Sequence, residues 1–398
     1  MSRTENGGVV GVKNLSTLSY ASGVFQLKSQ FVANAGAAWP RSGSLFVGIV
    51  HTTSPYVSIY PFSSLGFGAK ISDPGTLPAG QSNGIDFSPN GKFVAVAHNT
   101  TPYISVYPWS GSGFGSKVSD PAVLLPSAAG VAGQKVRFSN AGNVVALSNG
   151  AGTPNALYVY AWSSSGFGSK YSDPGTTIAI TSGRKISFSS TDSDIVVGGS
   201  RTTLPFFYVF PWSSSTGFGT KYSDPTGFTI ASPQNCNSIE FSPNGNWLAA
   251  AFDTGSTVST TYLEQIFSFT SGIGFTGTVV NNGINPSSPN GQYSLDAKWH
   301  PTGNDVVYGR YLSPSIGAYP WTGSSFGTAY SSPATMPGGN GSYSTTFDPD
   351  GKYVAVANQT SPYIYIYPYT VGVGWGVKFS NPSTLPASGG WHVAWGRV

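Results

Sequence analysis

Seven aromatic residues, Phe67, Phe114, Phe167, Phe218, Phe275, Phe326 and Trp375, each sit among small residues at the tip of a candidate turn. They recur about every 51 residues, a period at which internal repeats make propellers or solenoids. One unit copied seven times constrains a fold more tightly than any single motif, because each copy must bury its apolar faces against its neighbours. The repeat predicts one large body over residues 41–398, preceded by a short N-terminal extension, residues 1–40. It leaves the activity open, since function belongs to sites and not to scaffolds.

Composition decides whether such a repeat can fold. Only 9% of the residues are Asp, Glu, Lys or Arg, while 14% are aromatic. Gly- and Ser-rich polymers that stay disordered lack those rings, whose buried area offsets chain entropy. The net charge of +4 is small for 398 residues, and the Lys and Arg are scattered, so nucleic acid is not an expected partner. A single cysteine, Cys236, excludes an internal disulfide and reads as a core filler. No apolar run is long enough to span a bilayer, which argues against membrane insertion. No apolar stretch of signal-peptide length follows Met1–Gly8, so Sec export is not indicated.

The clearest copy opens with Gly84, Ile85, Asp86, Phe87, turns at Ser88, Pro89, Asn90, Gly91, and continues Lys92 to Ala97. Pro presets φ and Gly accepts positive φ, so this is a hairpin joining strands a and b. The loop His98 to Pro102 leads to strand c, Tyr103 to Trp109, and the turn Gly111 to Gly115 leads to a polar strand d, Ser116 to Ser119. No stretch carries a 3.6-residue apolar period. The expected fold is therefore all-β: a seven-bladed β-propeller of four-stranded antiparallel blades. Trp391 to Trp395 reads as a lone strand a that completes the first blade and closes the ring, although Ala37 to Pro40 also resembles the end of a strand a.

Strand a lies innermost in such a fold, so its polar residues face a channel. Just before its terminal aromatic stand Asp86, Arg137, Ser187, Glu240, Lys298, Thr346 and Ala394. Two positions earlier stand Gly84, Lys135, Lys185, Ser238, Asp296, Ser344 and His392. Opposite charges on neighbouring blades suggest ion pairs lining a wet channel. A metal-dependent hydrolase instead wants carboxylates, Asn and His converging on one cation, with Lys kept away. His51, His98, His300 and His392 lie in different repeats, and no cofactor or catalytic motif is present. The Asp of the recurring Ser-Asp-Pro phrase, Asp73, Asp120, Asp173 and Asp224, suits a structural Asx turn. The b–c loops offer a ring of polar and aromatic groups on one face: His51, Thr52, Tyr56, His98, Thr100, Tyr103, Arg201, Phe206, Gln359 and Tyr363. Rings surrounded by hydroxyls and amides suit a glycan or a protein surface.

The phrase Phe87 to Gly91, with its relatives Phe241 to Gly245 and Phe347 to Gly351, resembles the a–b hairpin of WD-repeat propellers, without the dipeptides that name that family. In the N-terminal segment, Gly23, Val24, Phe25, Gln26, Leu27 and then Trp39, Pro40 resemble a short module of bacteriophage tail-fibre and other virion proteins. That resemblance implies a virion structural protein anchored to other virion proteins through Phe25, Leu27 and Trp39. It places the chain on the particle or outside the cell, displaying a non-enzymatic propeller that binds a host-surface glycan or protein, or decorates the virion. The alternative is a propeller hydrolase or lyase acting on a small molecule or glycan in the central channel.

Overall fold

A computed structural model describes residues 43–126, 131–150, 156–180, 182–201, 206–226, 234–253, 263–281, 293–339 and 341–398, apart from the side chains of Arg201, Gln234 and Thr278. All regular structure among them is β-strand. Seven inner strands follow one another around a ring: Gly390–Arg397, Ser82–Phe87, Gly133–Phe138, Ser182–Phe188, Gln234–Phe241, Ser294–Trp299 and Ser342–Phe347, the last beside the first. Each pairs antiparallel with a strand b, which pairs in turn with a strand c. The first blade joins strands far apart in sequence. Gly390–Arg397 lies against Leu45–His51, with Trp395 opposite Val47 and His392 opposite Val50. The other candidate for that place, residues 37–40, lies outside the described residues.

The middle strands explain the apolar runs of the sequence. Phe93–His98 and Asp305–Arg310 are buried at every position, because a strand b has sheet neighbours on both edges and adjacent blades on both faces. Each core cluster spans two blades: Phe93, Ala95 and Ile104 of one pack with Val136, Phe138 and Trp162 of the next. The turn-tip aromatics belong to this packing. Phe67 meets Tyr60 and Phe62 edge-on at 5.6 and 5.4 Å, and Trp375 meets Tyr367 and Tyr369 at 5.6 and 5.4 Å. Edge-to-face contact directs the positive rim of one ring at the negative face of another.

The a–b hairpin is made by side chains that replace missing backbone partners. Ser88 Oγ accepts the Phe93 N–H at 2.9 Å and Asn90 Oδ1 accepts the Lys92 N–H at 3.0 Å. Gly91 takes φ 69°, and a Cβ there would stand 1.9 Å from the Arg397 carbonyl oxygen. Ser242 and Asn244 repeat the arrangement before Gly245. The likeness to WD repeats is therefore one of turn chemistry, which any sequence needing this tight turn can reach.

Strand d differs from expectation. In the clearest copy, Ser116 to Ser119 forms no regular strand; pairing is limited to a bridge between Trp109 and Phe114 and single backbone bonds such as Val118 N–H to Val106 O at 2.8 Å. The Pro that follows the strand c tyrosine in four blades cannot donate to a ladder. The fifth blade, where Phe275 lacks its following Gly, departs from this with a long outer strand, Gly274–Asn281. The Ser-Asp-Pro carboxylates do more than turn the chain. Asp73, Asp120, Asp173 and Asp224 pair with Lys70, Lys117, Lys170 and Lys221, and Asn381 takes the same part for Lys378 at 2.7 Å.

Candidate functional site

The b–c loop residues that suggested a binding face are mostly turned inward. His51 and His98 are fully buried. His51 Nδ1–H donates to Thr53 O at 2.7 Å, leaving Nε2 to accept from Ser58 at 3.1 Å; His98 Nε2 contacts Ser105 at 3.0 Å. Tyr103 and Phe206 are core residues. Tyr56, Tyr103 and Tyr363 hold left-handed φ of 70°, 72° and 71°, and their carbonyls accept the N–H of His51, His98 and Asn358 to close each loop. Gln359 donates to Gly390 O at 2.9 Å and Thr52 bonds Ser388 at 3.1 Å. Among these residues only Thr100 is largely exposed. Arg201 lies in a strand but its side chain is outside the described residues, as are Phe25, Leu27 and Trp39.

Burial holds both imidazoles at about 4, below their ordinary value. In the unfolded chain they charge near pH 6.5, so between pH 6.5 and 4 the unfolded state binds more protons. Stability should accordingly fall as the solution is acidified through that window, measurable as a decreasing melting temperature by circular dichroism. A melting temperature constant from pH 7 to 4 would refute this assignment.

The channel is where unneutralised chemistry collects. Counting back from the terminal aromatic of each inner strand, its two polar layers hold four cations and three carboxylates. The sequence-derived pairs form: Arg137 to Asp86 at 3.2 Å, and Lys298 to Glu240. A third reaches across the fifth blade, from Lys185 to Asp296 at 2.7 Å. Asp296 also accepts from Ser238 at 2.7 Å and from the Thr345 N–H at 2.8 Å. Burial alone pushes this carboxyl up, but Lys185 and the hydrogen bonds outweigh burial and hold it below the usual carboxylate range.

Lys135 is left over. Its Nζ donates to the Asn83 carbonyl oxygen at 2.7 Å and makes no carboxylate pair among the described residues. Burial drives its amine down to about 7; Asp296 opposes this, while Lys185 and Arg184 reinforce it. His392 lies in the same layer. Burial, then the fields of Lys135, Lys185, Arg137 and Lys298, holds the ring well below its ordinary value, so it is neutral. Its Nδ1 accepts the Ile85 N–H at 3.3 Å, which places the ring proton on Nε2. A neutral amine, a neutral imidazole donor and an excess of positive charge can bind an anion, accept a proton and stabilise a developing oxyanion.

One further layer escaped strict alternation. Every inner strand carries a register shift near its start, for example between Ser82 and Gly84, Ser294 and Asp296, and Ser342 and Ser344. A bulge brings two consecutive residues toward one side. It adds a mouth layer of Asn83, Gln134, Arg184, Asn237, Leu295, Tyr343 and Trp391. The repeat alignment contained this layer, but period-two reading assigned it to the blade face. Elsewhere, buried Cys236 is packing, its thiol pushed up by burial. His300 ties a hairpin to the next blade by donating to Gly351 O at 3.1 Å. No cluster of three potential metal-binding side chains occurs among the described residues.

No protein-family profile matches the chain, and no characterised protein sequence matches it. Solved structures do. A candidate 6-phosphogluconolactonase from Bacteroides uniformis covers 89% of this chain and 100% of its own length at TM-score 0.63 and 14% identity. A periplasmic gluconolactonase from Pseudomonas aeruginosa covers 89% and 99% at TM-score 0.62 and 12% identity. A protein from Lactobacillus plantarum covers 88% and 99% at TM-score 0.62 and 13% identity. Such identities establish the propeller fold alone.

These likenesses correct the reading of the chain as a non-enzymatic bacteriophage virion protein, tail fibre or receptor-binding adhesin of WD-repeat type. The propellers it follows include lactonases, not virion proteins. The physical reason the sequence misled is that the loop groups chosen for recognition are spent on closing their own hairpins. A virion location has no support, and no helix among the described residues is long and apolar enough to cross a membrane.

Proposed function

We propose that this chain is a hydrolase that opens an ester, of the ring-ester type, in a small anionic molecule held in the central channel. The observation that carries this reading is Lys135, a buried amine near neutrality without a carboxylate partner, beside a neutral His392. The names of its structural neighbours, gluconolactonase and candidate 6-phosphogluconolactonase, point to the same class of bond.

In this reading the cations of the channel attract the substrate's anionic group, and water adds to the ester carbonyl. Lys135 Nζ takes the proton released as the new C–O bond forms. Charge developing on the carbonyl oxygen is stabilised by Lys185 and the His392 Nε2–H. When the tetrahedral intermediate collapses, the ring C–O bond breaks and the Lys135 ammonium returns its proton to the leaving alkoxide. One water is consumed, and a hydroxy acid is released. Glucono-δ-lactone and its 6-phosphate, followed by base uptake at constant pH 7, supply the test. Hydrolysis faster than the spontaneous rate, with the phosphorylated ester preferred, is expected. A rate equal to the spontaneous one for both removes the proposal.

A further inference from the structure

The mouth layer is divided in a way that charge pairing does not require. On one half stand Asn83, Gln134 and Arg184; on the other stand Leu295, Tyr343 and Trp391. Tyr343 and Trp391 are half-buried on neighbouring inner strands, their ring centroids 4.8 Å apart with planes tilted by 59°. The Tyr343 hydroxyl lies within the field of Arg184, which belongs to the fourth blade while Tyr343 belongs to the seventh. The aromatic half thus faces the polar half across the channel, directly above the layer that holds Lys135, Lys185 and His392.

A ligand that satisfies both halves has one apolar face and a polar edge. Linear dicarboxylates and inorganic anions have no such face; a pyranose ring has axial C–H groups on one side and hydroxyls around its rim. We infer that Tyr343 and Trp391 form a stacking subsite for a six-membered sugar ring, so that the channel selects a cyclic sugar acid over other anions of similar charge. This rests on the proposed channel site, but it concerns recognition and not bond breaking. Tyr343 and Trp391 are specificity-determining residues in this account. The acid group reaches down to the cationic layer while the ring rests on the aromatic pair and its hydroxyls meet Arg184 and Gln134.

Calorimetric titration of the full chain with D-glucuronate, malonate and methyl α-D-glucopyranoside tests it. Wild-type protein should bind glucuronate about tenfold more tightly than malonate, as one aromatic stacking contact of roughly 1.5 kcal/mol allows, and more tightly than the uncharged glucoside. Trp391→Ala and Tyr343→Ala should each bring glucuronate to the malonate level while leaving malonate itself unchanged. Trp391→Phe, which keeps a ring, should retain the preference, separating stacking from any loss of folding. Equal wild-type affinity for glucuronate and malonate overturns the stacking subsite and leaves the anionic channel standing. Unchanged glucuronate binding in both alanine variants overturns it too. If neither anion binds, the channel reading falls with it.

Discussion

Replacing Lys135 with Met should lower ester hydrolysis by a factor of about 10²–10⁴, the usual worth of a positioned general base. The wild-type rate should climb as pH rises through about 7, because only the unprotonated amine accepts a proton from water. The variant should lack that rise. A structural role predicts another signature, and both can be read from one protein. In the folded chain the amine loses its proton near 7, whereas unfolded it does so near 10.4. Between those values the unfolded state binds more protons, so wild-type stability should increase with pH over that window. Below it the full penalty of burying the charge applies. Lys135→Met should therefore melt at a higher temperature than wild type at pH 6.5 while being nearly inactive. A Met variant with the wild-type rate and pH profile removes Lys135 from the mechanism.

Breaking the ion pair between the fifth and sixth blades should cost more stability than any other single side-chain truncation discussed here. Arg310 donates from Nε to Glu264 Oε1 at 2.6 Å and from Nη2 to Glu264 Oε2 at 2.8 Å, and Nη2 also donates to the Tyr319 hydroxyl at 2.7 Å. The side chains are 6% and 1% exposed. Removing one partner leaves a buried charge without compensation, at a cost of about 3–5 kcal/mol. Arg310→Met should shift urea unfolding to markedly lower concentration. The double variant Arg310→Met with Glu264→Leu should regain most of the loss, since two apolar groups need no solvation. An Arg310→Met midpoint equal to wild type would show that water reaches Glu264 and that the pair is not desolvated.

The residues that were legible beforehand are those whose role is set by neighbours in sequence. The Ser88 to Gly91 hairpin follows from what Pro, Asn and Gly can do locally, and the packing of Phe67 or Trp375 follows from their fixed offset after strand c. The Asp86 to Arg137 and Glu240 to Lys298 pairs were also visible, because equal positions in adjacent repeats become adjacent in space. Strand d was overread: Ser116 to Ser119 has a strand's pattern but too few partners to form a ladder. The b–c loops were misread for a related reason. His51 and His98 look like loop residues in sequence, yet a left-handed Tyr folds each loop back over its own histidine.

The sequence by itself determined the repeat, the all-β architecture and the inner strands that face the channel, because a periodic chain must bury periodic faces in the same way. Only the tertiary structure decided which polar groups were left without a counter-charge. Lys185 reaches Asp296 over an intervening blade, a pairing that leaves Lys135 alone with a carbonyl oxygen. Likewise, only the bulge in each inner strand brings Tyr343 and Trp391 to the mouth. Repeats fix local geometry through short-range sterics, whereas the charge balance of a closed ring is a sum over all its blades.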